Sequence, residues 1–131
     1  MTAEQTVRQV MDRWQRGIDA HDPDAVAAVF TEDAVFQGLR PHTVGRDGVA
    51  TYYASQPAGM TVTYRVLESQ LLTDDVVTGY LSAVFAFVDR PAMELRIGVV
   101  LTQRADQWLV AQYQASEGIT SRSNSSIPER S

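Results

Sequence analysis

The feature that most constrains this chain is a change in the spacing of its apolar residues at about residue 57. After that point, four stretches are rich in Val, Thr, Tyr and Phe, the residues that strands favour. Short links such as Asp89-Arg90-Pro91 join them, and short links favour antiparallel neighbours because a parallel crossover is much longer. We therefore predict an antiparallel meander. Its strands are expected over residues 60–70, 76–88, 93–103 and 107–116.

The first half of the chain has helical spacing instead. Thr2 and Gln5 form a capping-box pattern ahead of apolar residues at helical intervals, which predicts a first helix. That helix is expected to stop before Asp22 and Pro23, because Asp is a good N-cap and Pro suits the first helical position. The further predicted elements are a second helix over 23–30, a short strand over 34–37 and a third helix over 46–55.

Helices followed by strands indicate an α+β domain, in which three N-terminal helices pack on a strongly curved antiparallel sheet. A chain of 131 residues fits one such domain. We expect the domain to span residues 1–118 and a flexible polar tail to span residues 119–131. Polar residues interrupt the N-terminal segment and no apolar run is long enough to cross a membrane, so a soluble cytoplasmic protein is expected.

Missing residue types exclude several kinds of chemistry. The sequence has no cysteine and no lysine, which removes thiol nucleophiles, thiolate metal sites and Schiff-base catalysis by a side chain. Two histidines, His21 and His42, are too few for a multi-histidine metal site. The net charge of −5 and the scattered arginines disfavour nucleic acid. We therefore expect no cofactor, no metal, and neither nucleic acid nor a membrane as a partner.

Three segments of the chain resemble a known family. They read DAHDPDAVAAVFTEDAVF at residues 19–36, VGRDGVATYY at 44–53 and WLVAQYQAS at 108–116. In them the sequence resembles the SnoaL-like, ketosteroid-isomerase-like branch of the nuclear-transport-factor-2 superfamily. The resemblance implies a cone-shaped domain around a small-molecule pocket and a homodimer formed through the outer sheet face. It implies fold more than activity, because this fold hosts isomerases, hydrolases, cyclases, dehydratases and non-catalytic modules.

The same resemblance allows a test for steroid chemistry. Ketosteroid isomerases use an Asp base, with a Tyr and a protonated Asp as hydrogen-bond donors. The resemblance places the base at Gly38 and the protonated acid at Gly98. It places the donor Tyr of the first helix at Trp14, and a supporting Tyr is matched by Tyr53. Because glycine has no side chain to accept a proton, isomerisation of 3-oxosteroids is not expected.

Two other groups are candidates for catalysis. Strand alternation points Glu94 and Arg96 to the same side as Gly98, and the pair resembles the arginine and acids of limonene epoxide hydrolases. The alternative is a pair on the surface, with the apolar residues of 95–101 in the core. His42 would be a capable base near the expected mouth of the pocket, or simply an exposed loop residue.

The predicted ligand pocket lies between the helices and the sheet. We expect a ligand between Trp14, Tyr53 and the inner sheet face, with Arg96 as its charged contact. For Tyr113 the alternative is a core role, with its hydroxyl bonded to a backbone partner. The predicted pocket residues are Trp14, Phe36, Tyr53, Gly98 and Tyr113.

Two functions are consistent with these patterns. The first is a domain that binds a small apolar molecule, in a cofactor-independent isomerase, cyclase, dehydratase or hydrolase without the ketosteroid isomerase residues. The second is a non-catalytic module for binding or dimerisation that keeps the fold. An open cavity with a titratable group shifted by burial favours the enzyme. A cavity filled by Trp14, Tyr53 and Phe36 favours the module.

Overall fold

The computed structural model describes residues 1–118, so the predicted tail over 119–131 lies outside the described residues. The α+β class is confirmed, and the domain boundary at residue 118 stays a prediction. The helices are α1 (Ala3–Asp19), α2 (Pro23–Ala27) and α3 (Arg46–Ala54). The strands are β1 (Phe30–Gln37), β2 (Thr43–Val44), β3 (Thr61–Thr73), β4 (Val76–Ala86), β5 (Met93–Arg104) and β6 (Gln107–Glu117).

The helix starts follow the predicted capping residues. The Thr2 hydroxyl accepts a hydrogen bond from the backbone N–H of Gln5 at 3.1 Å, and the Gln5 side chain accepts from the Thr2 N–H at 2.8 Å. These two bonds satisfy backbone donors that have no partner inside α1. At α2, the Asp22 carboxylate accepts from the Ala25 N–H at 3.1 Å. No helix within residues 1–118 is long and apolar enough to cross a membrane.

Strand β1 corrects two predictions. The second helix was predicted to reach residue 30, but α2 ends at Ala27. The strand was predicted over 34–37, but β1 already begins at Phe30. Residues 29–31 are Val, Phe and Thr, which favour strand geometry, and the Val110 N–H donates to the Val29 carbonyl at 2.9 Å. Pairing with β6 therefore overrides the helical spacing of this segment.

The sheet order is β2-β1-β6-β5-β4-β3. Strands β3 to β6 form the predicted antiparallel meander, but β1 pairs with β6 in parallel, so the prediction of a fully antiparallel sheet is wrong at that pair. The physical reason is the long separation of β1 and β6 in sequence, which leaves their relative direction free of the hairpin constraint. The register shifts within β3–β4 and β5–β6, and such bulges bend the sheet.

The core lies between the helices and the inner face of this curved sheet. In β5, four alternate residues are buried: Leu95, Ile97, Val99 and Leu101. The residues between them are less buried and face the other side, as strand alternation requires. The apolar face of β5 is thus part of the helix-facing core.

Gly17 allows α1 and α2 to approach each other closely. A Cβ atom on Gly17 would lie 2.7 Å from Cγ2 of Val26 and 3.0 Å from its backbone nitrogen. No side chain fits at that distance without moving α2. This glycine therefore has a packing role, at the modest cost that a glycine has inside a helix.

Candidate functional site

A chain of buried polar groups connects the first helix, the third helix and the last strand. Trp14 is 0% exposed, and its indole N–H donates to the Tyr53 hydroxyl oxygen at 3.0 Å. The Tyr53 hydroxyl in turn lies 3.5 Å from the Tyr113 hydroxyl, to which it donates. We call these three residues the donor chain. It places three hydrogen-bonding groups inside an otherwise apolar core.

The aromatic rings around the donor chain pack closely. Phe36 stacks on Tyr113, with ring centroids 4.7 Å apart and an angle of 23° between the planes. Phe36 also meets Tyr53 at 5.6 Å, and Trp14 meets Tyr113 at 6.1 Å. The structure therefore brings together four of the five predicted pocket residues, Trp14, Phe36, Tyr53 and Tyr113, from α1, β1, α3 and β6.

A cavity of about 200 Å³ lies beside the two tyrosines of the donor chain. Tyr53 and Tyr113 line it, whereas Trp14 and Phe36 are not among its lining residues. Its other walls come from residues that sequence reasoning missed. These are Leu39, Arg40, Tyr52, Gln56, Met60, Phe85, Phe87, Met93 and Leu95.

Part of this wall could have been predicted from the spacing of its aromatic residues. Phe85 lies near the end of β4 and Phe87 directly follows that strand, and Leu95 is paired with Ala83 near the start of β5. Alternation places side chains with this spacing on one face, so Phe85 and Phe87 could have been predicted to lie together. That they lie beside Met60 and Tyr53 depends on the bend of the sheet, which the sequence pattern does not encode.

The cavity is electrically neutral at its buried end. Its lining residues include no carboxylate and no imidazole, and its one formal charge is on Arg40, which is exposed. Burial raises the pKa of Tyr53 above its ordinary value, and it raises the pKa of Tyr113 as well. Both hydroxyls therefore stay protonated at neutral pH and act as hydrogen-bond donors rather than bases.

The position that the resemblance gives to a catalytic base is closed by a neighbouring ring. A Cβ atom on Gly38 would lie 2.4 Å from Cζ of Tyr52 and 2.5 Å from its hydroxyl oxygen. The Leu39 N–H donates to that hydroxyl at 3.4 Å, and Phe36 packs edge-on against the ring at 5.0 Å. Even a carboxylate introduced at residue 38 would meet the Tyr52 ring rather than a substrate.

Glu94 and Arg96 lie on the outer face of the sheet. Arg96 pairs across the strands with Ser82, and its guanidinium donates to the Ser82 hydroxyl at 3.0 Å and to the Glu94 carboxylate at 2.5 Å. The hydrogen bond from Arg96 lowers the pKa of Glu94. The Arg96 side chain is 25% exposed and that of Glu94 36% exposed.

The prediction that Arg96 contacts the same ligand as Trp14 and Tyr53 is therefore wrong. The neighbouring residues Leu95 and Ile97 fill the core, and alternation sends Arg96 to the opposite side. The two alternatives for the Glu94–Arg96 pair were a catalytic pair in the pocket and a pair on the surface. The structure places the pair on the outer surface of the sheet. A role in catalysis inside the cavity is not compatible with that position.

Gly98 and His42 are also separate from the cavity. Gly98 lies on the outer face, in an open hollow of about 620 Å³ that is also lined by Tyr80, Gln112 and Gln114. The prediction that Gly98 lines the ligand pocket is wrong, because strand alternation places it on the same outer face as Arg96. His42 is exposed in the loop after β1 and does not line the cavity, so the prediction of a base at its mouth is not supported by position.

Solved structures of other proteins have a similar fold. A domain with a cystatin-like fold from Nostoc punctiforme is similar with a TM-score of 0.79 at 14% identity, covering 90% of this chain and 78% of that one. A ketosteroid isomerase-like protein from Erwinia carotovora has a TM-score of 0.74 at 20% identity, covering 86% and 94%. Because the sequence identities are low, these similarities show the fold alone.

A third solved structure is equally similar, and the sequence itself matches a family. A nuclear-transport-factor-2-like protein of unknown function from Shewanella oneidensis has a TM-score of 0.77 at 12% identity, covering 88% of this chain and 100% of that one. No curated protein matches the sequence. The model of the SnoaL-like domain family matches residues 1–114, almost the whole described part of the chain. The chain therefore belongs to the SnoaL-like domain family.

Proposed function

We propose that this domain binds a small, mostly apolar molecule in the cavity beside Tyr53 and Tyr113. The observation that carries the proposal is the lining, in which aromatic and aliphatic walls surround two buried, protonated hydroxyls. Ligand sites are typically concave and apolar, with a few polar groups that orient the ligand. The cavity has this composition.

The volume supports a small ligand. Pockets for drug-sized molecules are roughly 300–1,000 Å³, and this cavity is about 200 Å³. A molecule of one or two rings therefore fits the space better than a steroid. The exposed residues Leu39, Arg40 and Met93 mark the side that is open to solvent.

A cofactor-independent isomerase, cyclase, dehydratase or hydrolase is the second candidate. What favours it is the protonated hydroxyl pair, since a donor inside an apolar cavity can stabilise negative charge that develops on a substrate oxygen. What disfavours acid–base catalysis is the composition of the cavity wall, which offers no carboxylate or imidazole to take up a proton. Binding is thus the function that the geometry supports best.

Filling the cavity should abolish binding. Leu95 is 4% exposed and forms part of the wall, so Leu95→Trp places extra ring atoms in the space that a ligand would occupy. We expect calorimetric titration with α-methylstyrene to detect binding to the wild type and none to Leu95→Trp. Val88→Trp is the matched control, because Val88 is 82% exposed and does not line the cavity.

Thermal unfolding scans of both variants would verify that they fold. Binding that is equal in the wild type and in a folded Leu95→Trp variant would mean that the ligand site is elsewhere.

We also propose that the domain forms a homodimer through the outer face of the sheet. Tyr80 is 44% exposed there, next to the hollow at Gly98 and to partly exposed arginine and glutamine side chains. Tyrosine and arginine are enriched at the centres of protein interfaces. The outer face is largely polar, because most apolar residues of the four meander strands are buried in the core. The support therefore comes from the exposed tyrosine, the arginine and the hollow beside them rather than from the apolar content of this face.

A further inference from the structure

The donor chain has one more donor hydrogen than it has hydrogen bonds between its members. Trp14 N–H, Tyr53 O–H and Tyr113 O–H supply three donors, whereas two hydrogen bonds connect the three residues. One donor proton is therefore left over at the end of the chain. We infer that the cavity selects a ligand with an uncharged oxygen acceptor, such as a ketone or aldehyde on an apolar body, and that Tyr113 donates to it.

The end of the chain is at Tyr113 because of the direction of its bonds. An indole nitrogen donates and never accepts, so the first bond must run from Trp14 to the Tyr53 oxygen. The structure assigns the second bond from the Tyr53 hydroxyl to the Tyr113 oxygen. Within residues 1–118, the Tyr113 hydroxyl has no hydrogen-bond partner other than the Tyr53 hydroxyl, whose oxygen already accepts from Trp14. Tyr113 also lines the cavity, which places its ring beside a ligand.

The bond at the end of the chain is weak. The Tyr53 and Tyr113 oxygens are 3.5 Å apart, which is long for a bond between hydroxyls, usually about 2.7–2.8 Å. Tyr113 is 2% exposed, so bulk water has little access to it. A buried polar group without a good partner is unfavourable, and a ligand oxygen that accepts the proton removes that penalty.

The surroundings favour a neutral oxygen over a carboxylate. The buried walls near Tyr113 are formed by Met60, Phe85 and Leu95, and the one cation among the lining residues, Arg40, is at the exposed side. Burying a carboxylate without a paired charge is much more costly than burying a carbonyl. Because burial raises the pKa of Tyr113, its proton stays in place at neutral pH. This inference rests on the proposed binding function and names its ligand class.

Two compounds of the same shape test the inference. Acetophenone carries a carbonyl oxygen where α-methylstyrene carries a CH₂ group, so they differ chiefly in the ability to accept a hydrogen bond. Tyr113→Phe removes the donor and keeps the ring that stacks on Phe36. We expect Tyr113→Phe to weaken acetophenone binding about tenfold, the effect of one buried hydrogen bond, and to leave α-methylstyrene binding unchanged, both measured by calorimetry.

Tyr64→Phe is the matched control for this experiment. Tyr64 does not line the cavity, and its hydroxyl donates to the Asp12 carboxylate outside the donor chain. We expect this variant to keep the wild-type affinities for acetophenone and α-methylstyrene. An equal loss of acetophenone affinity in Tyr64→Phe and Tyr113→Phe would overturn the assignment to Tyr113.

The outcomes separate this inference from the proposed function. If both compounds bind the wild type and Tyr113→Phe changes neither affinity, the binding function stands and the inference is wrong. If neither compound binds the wild type, the binding function fails and the inference fails with it. Benzoate gives a further check, because tighter binding of benzoate than of acetophenone would show that the cavity selects anions instead.

Discussion

Trp14→Ala is expected to lower the free energy of unfolding by about 3–5 kcal/mol, the usual range for removing a large buried aromatic side chain. Trp14 is 0% exposed, and its ring packs edge-on against Phe85 at 6.0 Å and Tyr64 at 6.3 Å. Its removal leaves a cavity between α1 and the sheet and takes away the donor to Tyr53. Urea unfolding followed by tyrosine fluorescence measures the change.

Trp14→Phe separates the two contributions to this loss. It retains most of the ring contacts but removes the indole N–H, so the cost should be smaller, about 1–3 kcal/mol for an altered buried hydrogen bond. A loss below about 1 kcal/mol for Trp14→Ala would contradict the core position of this residue. In that case Trp14 would have to lie where solvent can replace its contacts.

Gly98→Leu is expected to convert the proposed homodimer into a monomer. A Cβ atom on Gly98 would meet nothing within 4 Å, so the single chain can accept a larger side chain without a clash. Tyr80 is directly opposite Gly98 on β4, yet its ring leaves the space above the glycine open. A leucine in this hollow would hold the two sheet faces of a dimer apart, because well-packed interfaces tolerate little extra volume.

Light scattering at micromolar concentration measures the effect. The wild type should have the mass of a dimer and Gly98→Leu that of a monomer, with an unfolding temperature that confirms a folded chain. Thr73→Leu is the matched control, since Thr73 is exposed at the end of β3 and is not part of the hollow. A wild-type monomer would contradict the dimer itself, and a dimeric Gly98→Leu variant would place its contact on another surface.

The local elements were the part of the fold that the sequence could predict. The capping residues Thr2 and Asp22 act within one helical turn, so their effect does not depend on the rest of the chain. The four meander strands were found within three residues of their predicted bounds, because alternation and short links are also local signals. Strand β2 was missed since two residues carry no periodic pattern.

The parallel pairing of β1 and β6 could not be predicted in the same way. More than 70 residues separate Val35 from its partner Gln112, so no short link constrains the direction of this pair. The early start of β1 depends on the same contact. A hydrogen bond from Val110 to Val29 is available only when β6 is already in place.

At the candidate site, the sequence predicted some of the residues but not which face of the sheet they lie on. Trp14, Tyr53 and Tyr113 were predicted as pocket residues; the structure brings them together, and of the three Tyr53 and Tyr113 line the cavity. For β5, alternation established that Glu94, Arg96 and Gly98 share a face, but alternation alone does not say which face meets the helices. The buried partners Leu95 and Ile97 decide it, and they place the charged pair outside.

The location of a bound ligand is the most direct test of the account. In methyl-labelled protein, Met60 and Leu95 report on the cavity, whereas Val84 and Val100 report on the outer sheet face. Titration with acetophenone, followed by ¹H–¹³C spectra, should shift the methyl signals of Met60 and Leu95 and leave those of Val84 and Val100 in place. Shifts confined to Val84 and Val100, with Met60 and Leu95 unchanged, would contradict a ligand site inside the domain.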